Sequence, residues 1–462
     1  MPAIITKDFR IQNANQFSES FGESADTYYL AIGRPQAFAN DQAFNDGTDT
    51  SPPTPVDSVG SVDYYVYDDL MSAKKITSSN VSAVIPRRNW TTGTTYDYYR
   101  HDYGDINTAG STIAADSGAT SLYDATFYVM NSTFDVYKVI DNNSGAASTV
   151  EPSGNKSTSV FSTGDSYKWK YMYTLTASEQ ANFMSTDFIH CSTESTDYST
   201  TAGAIEHAKV TAGGSSGTNG TYTNVDIRGD GSSGKATIVI GSNAVTSVTI
   251  TTAGSGYTYA SVKASDIGNV SGADIDFIIS PPGGHATDVI AELGGFFVMM
   301  NVDFATSESG EFNTSNDFRR IALLRNPTDS TTGATATADT LDATKSITFS
   351  GTPGSFQADE KITQASSGAV GYVVDFNSTT KVLRYIQPQF TNQGVDSNGN
   401  LTAFSSTNTV TGATSGATGT PSSHDVTPEL TADTGDILYI ENRKPISRAS
   451  DQTENVKLIV EF

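Results

Sequence analysis

The chain has 462 residues, and its 27 Lys plus Arg against 51 Asp plus Glu leave a formal net charge of −24. So acidic a surface repels phosphate backbones and anionic headgroups, which excludes nucleic acid and membrane surfaces as expected partners. No apolar run reaches the roughly 20 residues of a membrane helix, and the single cysteine, Cys191, allows neither an intrachain disulfide nor a thiolate zinc cage.

The opening MPAIITKDFR lacks the apolar run and small-residue cleavage site of a signal peptide, which predicts a soluble chain made in a cytoplasm. Gly, Ser, Thr, Ala and Asn dominate long tracts, while Tyr and Phe reach 22 each. Turn formers with β-branched and aromatic residues predict a mainly β, multidomain fold with a few short helices.

In chain order, VDYYVYDDLMSAKKI (Val62–Ile76) places Val66, Leu70 and Ala73 on one helical stripe and predicts a short amphipathic helix. SPPTPVDS before it reads as a proline-stiffened extended lead-in. SYKWKYMYTL (Ser166–Leu175) alternates strictly, predicting a strand with Tyr167, Trp169, Tyr171 and Tyr173 packed and Lys168 and Lys170 wet. TASEQANFM, next, suits a turn or two of helix. Residues 205–282 carry strand-like runs between Gly-rich turns at regular spacing and predict a small β module, closed by PPGG. A second such region, 329–425, repeats itself: ITQASSGAVG (Ile362–Gly371) matches VTGATSGATG (Val410–Gly419) at six of ten positions, predicting two related hairpins. GYVVDFNSTTKVLRYI between them reads as a strand pair with NSTT at its tip. The final strand alternates Val456, Leu458, Val460 and Phe462 inward and is expected to be tied into a sheet.

GDGSSGKAT (Gly229–Thr237) nearly spells a phosphate-binding loop. That loop needs a Ser or Thr after its Lys to ligate magnesium and a helix to follow, whereas Ala236 and the β-branched TIVIGS stand here. A turn between strands is expected, with no nucleotide or other cofactor. RGD (Arg228–Asp230), read as an adhesion tripeptide, is near the chance rate. The five histidines lie scattered, and no catalytic or metal-ligand motif is present. Asp68–Asp69 is an acid–base candidate that so acidic a chain produces by chance. No catalytic, cofactor or metal residues are assigned.

Separated stretches carry a resemblance. AVIPRRNW (Ala83–Trp90), TGDSYKWKYMYTL (Thr163–Leu175) and LYIENRKPISRASDQTENVKLIVEF (Leu438–Phe462), with ITKDFR, NQFSESF, IGRPQAF, PPTPVDS and FRRIALLRNP in matching order, resemble the T-even-type baseplate wedge subunit of contractile-tailed bacteriophages, the gene product eight family. The two Gly/Ser/Thr-rich regions have no counterpart in the family's compact form. The resemblance therefore implies a wedge core at 1–204, 283–328 and 426–462, with β-sandwich-like modules inserted at 205–282 and 329–425, where added loop length costs little entropy. It implies a non-enzymatic tail component of the virion, assembled in the host cytoplasm. Its expected partners are a second copy of itself and other wedge subunits, with a part in coupling host attachment to sheath contraction.

Cations are scarce in so acidic a chain, and Arg and Trp are favoured interface anchors. Arg87, Arg88 and Trp90, with Arg443, Lys444 and Arg448, are the candidate interface residues, each weighed against intrachain pairing, core packing or a solvated turn. Two other functions remain open: an adhesion or carbohydrate-binding role for the modules, with Tyr257 and Tyr259 as aromatic candidates, and a tail-associated glycan hydrolase.

Overall fold

The structure, a computed structural model, describes residues 4–38, 47–55, 66–106, 110–156, 159–191, 201–305, 312, 314, 316–388 and 394–462. It is mainly β, as the composition predicts. The chain divides into two compact units: Met1–Gln16, Ser82–Met299 and Ile459–Phe462 form one, Phe17–Val81 and Met300–Leu458 the other.

The first unit is organised around an antiparallel sheet of Tyr128–Met130, Asp135–Asp141, Lys168–Thr174 and Phe161–Ser162. The aromatic alternation of the third strand is borne out. Tyr167, Trp169 and Tyr173 are buried, and Tyr167 stacks on Trp169 with ring centroids 5.4 Å apart. Its basic face is only partly wet: Lys168 is half-buried, and Lys170 has no exposed surface because a second layer of chain covers it. The short helix Ala177–Phe183 forms as expected. Thr176 and Glu179 close a capping box in which Thr176 N donates to Glu179 Oε2 at 2.7 Å and Glu179 N to Thr176 Oγ1 at 3.3 Å.

Further along, Ile205–Ser215 pairs antiparallel with Ser271–Ile279, and Ile205 lies opposite Ile279. The chain thus enters and leaves this segment side by side. Between them lies a three-stranded sheet of Gly220–Asp226, Lys235–Gly241 and Ala244–Thr252. Val225, Ile238, Tyr257 and Phe277 belong to a core cluster of its own. At the chain's end, Arg10 donates to the backbone oxygen of Phe462, and Phe462 N donates to Phe296 O at 3.1 Å. The terminal strand Thr453–Glu461 is held in a sheet, as its apolar alternation predicts.

In the second unit, five antiparallel strands run in the order Thr340–Asp342, Leu70–Ile76, Tyr28–Gly33, Phe318–Arg325 and Asp436–Ile446. The central strand, YYLAIG, is buried along its whole length. The helix predicted across 62–76 is overturned from Leu70 onward. Leu70–Ile76 is a strand with Ala73 opposite Ala31; only 66–68 are helical, and 62–65 lie outside the described residues. Leu70, Met71, Ser72 and Ala73 are all buried, so this strand is covered on both faces. A continuous buried run mimics one helical stripe, and pairing with the apolar centre decides the outcome.

A seven-stranded sheet also lies in this unit. The repeated decapeptides form two neighbouring hairpins, Lys361–Gln364 with Ala369–Asn377 and Val410–Gly412 with Thr418–Gly419, and Ile362 pairs with Gly412 between them. Their turns agree in detail. Gly368 and Gly416 have φ of 82° and 65°, and Ser367 and Ser415 each accept from the amide two residues on, at 3.2 and 3.0 Å. The expected NSTT tip joins Ala369–Asn377 to Val382–Ile386.

Candidate interface residues and buried polar networks

The six candidate cations and aromatics occupy different settings. Arg87 donates to Ser185 O at 2.9 Å and to Asn89 Oδ1 at 3.0 Å. Arg88 donates to the backbone oxygens of Ala125 and Tyr123, with its guanidinium 4.7 Å from the Tyr128 ring centroid. Trp90, half-buried against the aromatic core, donates its indole N–H to Ser148 Oγ at 3.0 Å. Carbonyl and side-chain oxygens thus take the place of the intrachain carboxylates weighed for these arginines. On the other unit, Arg443 and Lys444 are exposed neighbours, and Arg443 lies 3.3 Å from Glu441. Arg448 is turned inward, 6% exposed, with its guanidinium 3.3 Å from Glu454 and a bond to Phe304 O.

Several of the motifs that carry the resemblance meet at one buried network. Arg34 of IGRPQAF and Arg320 of FRRIALLRNP flank the Asp69 carboxylate, at 3.6 and 2.8 Å. Arg320 also donates to Asn442 Oδ1 of the ENRKP stretch at 3.0 Å. Arg319 grips Asp49 with two bonds of 2.9 and 3.0 Å. A forked guanidinium suits such bidentate pairing. Asp69, half of the acid–base candidate pair, is therefore the anionic centre of a structural lock that ties three strands together. These arginines stand in motifs that carry the resemblance, but the carboxylate partners of Arg319 and Arg320 lie hundreds of positions away, where no local pattern points to them.

The first unit holds a second network at the root of the 205–279 segment. Lys170 donates to both oxygens of Glu206, at 2.8 and 3.0 Å. His207 Nε2 lies 2.8 Å from Asp141 Oδ2, and Lys209 Nζ donates to Asn142 Oδ1 at 2.8 Å. Deeper, Lys138 donates to Glu292, and Ala286 N donates to the other oxygen of Glu292 at 2.6 Å. Burial pushes the Lys138 ammonium well below its usual range, the charge of Lys170 adding to this and Glu206 opposing it. Burial, then the neighbouring Lys138 and Lys170, push the His285 imidazole well below its usual range. Glu206, His207 and Lys209 of the strand that enters the segment thus each meet a charged or amide group on or beside the aromatic sheet. No group of three or more His, Cys, Asp or Glu among the described residues is arranged to hold a metal ion.

The near phosphate loop is a cradle for a ring. Lys235–Gly241 is strand, as expected from its β-branched residues. A Cβ on Gly231 would come within 2.4 Å of the Tyr257 ring, and one on Gly234 within 2.8 Å of its hydroxyl. That hydroxyl accepts from Gly234 N and donates to Ile227 O, both at 3.0 Å. The glycines are there so that backbone can close around Tyr257. Tyr257 is 2% exposed and is no surface platform, whereas Tyr259 is 62% exposed. The RGD side chains are also engaged: Arg228 with Asp266 at 2.6 Å and Asp230 with Thr258 Oγ1 at 2.6 Å.

Of the motifs that carry the resemblance, TGDSYKWKYMYTL and FRRIALLRNP lie largely on strands, whereas ITKDFR and NQFSESF fall on the helix Lys7–Ser20 or at its ends. Residues 3–149 match the family model described as Phage-Gp8: Bacteriophage T4, Gp8. The chain is also 26% identical, over 204 residues, to "Baseplate wedge protein gp8" of Enterobacteria phage T4. That match takes in 40% of this chain and 60% of the relative's length. The resemblance read from the scattered motifs, that of a gp8-type baseplate wedge, is what both comparisons find.

Proposed function

We propose that this protein is a structural subunit of a phage tail baseplate, assembling as part of a wedge through the faces it presents to neighbouring subunits. The observation that carries this is the family match across residues 3–149, which encloses ITKDFR, NQFSESF, IGRPQAF, PPTPVDS and AVIPRRNW in order. Its partners are other baseplate subunits and a second copy of itself, and its movement is coupled to contraction of the sheath. The arginine lock around Asp69 suits a part that must keep its shape under load.

Residues 205–282 and 329–425 act as inserts on this frame. The antiparallel meeting of Ile205 with Ile279 supports the first, since it lets a module be added without displacing the chain on either side. Arg443 and Lys444 are the first choice for a partner contact because they are exposed, with Arg87 behind them. Light scattering of the chain, alone and mixed with the other wedge proteins of its phage, tests the reading. A dimer that binds a wedge protein, and loses that binding on Arg443→Glu with Lys444→Glu while its melting temperature holds, is expected. A monomer indifferent to every wedge protein overturns it.

A second reading, adhesion through the 205–282 module, is favoured by the exposed ring of Tyr259 alone. Glycan-array binding by the whole chain that is lost in Tyr259→Ala supports it.

A further inference from the structure

We propose that Lys138 and Glu292 condense to an intramolecular amide, joining the strand Asp135–Asp141 to the helix Val289–Leu293 through their side chains. The bond is independent of the assembly role above, since it needs only the folded first unit. It closes a loop of chain that contains the whole 205–279 segment, so that pulling on this segment cannot part the strand from the helix.

The groups that such a bond requires meet at one point. Lys138 Nζ is in hydrogen-bond contact with Glu292 Oε1, and an amine so placed is within reach of the carboxyl carbon. His285 Nδ1 touches both reacting groups, lying against Lys138 Nζ and 3.1 Å from Glu292 Oε1. The remaining oxygen, Oε2, accepts from Ala286 N at 2.6 Å. Ala286 holds φ at 62°, a value uncommon outside glycine, and such backbone concentrates at functional sites. Tyr99 closes the site, its ring centroid 4.1 Å from Nζ and 5.4 Å from that of the imidazole. None of the three polar side chains is more than 1% exposed. By contrast, both Glu206 oxygens accept from Lys170 and that carboxylate is 20% exposed, so the neighbouring pair stays ionic.

Burial provides the reactive state. An ion pair is costly in so dry a place, and passing one proton from the ammonium to the carboxylate leaves a neutral amine beside a neutral acid. The lowering of the Lys138 ammonium by burial runs the same way. The amine nitrogen then attacks the Glu292 carboxyl carbon, and the negative charge that develops on Oε2 is met by the Ala286 N–H. His285 takes the surplus proton from the nitrogen and gives it to the Oε1 hydroxyl, which leaves as water. One C–N bond forms, one C–O bond breaks, and nothing is oxidised or reduced. A cavity of about 260 Å³ beside Tyr99 and Glu292 receives the water. Groups held side by side act at an effective concentration of about 10⁵ M or more, which favours condensation without an activating cofactor.

Intact-mass spectrometry of the purified full chain, denatured in acid, tests this. The mass is expected to lie below that of the sequence by one water, and a protease digest is expected to yield one branched peptide carrying both Lys138 and Glu292. Lys138→Met and Glu292→Met are each expected to restore the full mass, and in His285→Phe the bonded fraction is expected to fall at least about tenfold. The first two readouts are taken on the parent chain, so they stand even where a variant fails to fold. A parent chain of full sequence mass, or a lost water that fragmentation places at other residues, overturns the proposal. A bonded fraction unchanged in His285→Phe overturns the part given to the imidazole.

Discussion

Arg320 Nη1 donates to Asp69 Oδ1 at 2.8 Å, and both side chains are less than a tenth exposed. Breaking a buried pair by removing one partner leaves an uncompensated charge, a loss of about 3–5 kcal/mol. Here two guanidinium groups share the one carboxylate, since Arg34 stands on its other side. Asp69→Asn is therefore expected to lower the stability of the chain by about that amount, read as a fall in the urea midpoint. An unchanged midpoint would remove the lock from this account.

The Asp97 carboxyl shows the sign of the pH dependence. Burial pushes it up, but the bonds it accepts outweigh this and hold it below the usual 3.8. They come from Ser117 N and Oγ at 2.9 and 2.7 Å and from Thr126 N and Oγ1 at 2.7 and 3.1 Å. A carboxyl whose folded value is depressed stabilises the fold above its unfolded value, and that stability is lost as pH falls through the folded value. Asp97→Asn turns an amide donor toward these donors and is expected to cost about 1–3 kcal/mol at pH 7. The gap between the variant and the parent should shrink as melts are repeated from pH 5 down to the acid limit.

The two repeat turns differ in what their serines hold. Ser415 Oγ donates to the buried Glu360 carboxylate at 2.7 Å, which also accepts from Gln357 N, Thr414 N and Ser415 N. Ser367 Oγ donates to the neutral amide oxygen of Gln364 at 2.8 Å. Bonds to ionised groups are about twice as strong as neutral ones. Ser415→Ala is expected to destabilise more than Ser367→Ala in paired thermal melts, and equal losses would break the argument.

Cys191 is 1% exposed in the aromatic core, and burial pushes its thiol far above the usual range, with the charge of Asp288 adding to it. The thiolate is the reactive form. Ellman's reagent is expected to leave the native chain unmodified and to titrate one thiol per chain in urea. Rapid reaction without denaturant would show that this part of the first unit opens.

Local pattern determined a good part of the protein. Period-two alternation fixed the strand Lys168–Thr174, serine and glycine in a shared decapeptide fixed two matching turns, and Ala236 with the β-branched run after it excluded a phosphate loop. Each of those features depends on residues within a few positions of one another, where backbone preference decides. What only the tertiary structure decided is where charge is paired and which apolar runs become strands. Leu70–Ile76 is a strand because Tyr28–Gly33 lies beside it, Lys170 is dry because Glu206 covers it, and Asp69 is caught between Arg34 and Arg320. Desolvation and pairing act through space between segments far apart in the chain, so no local window contains them.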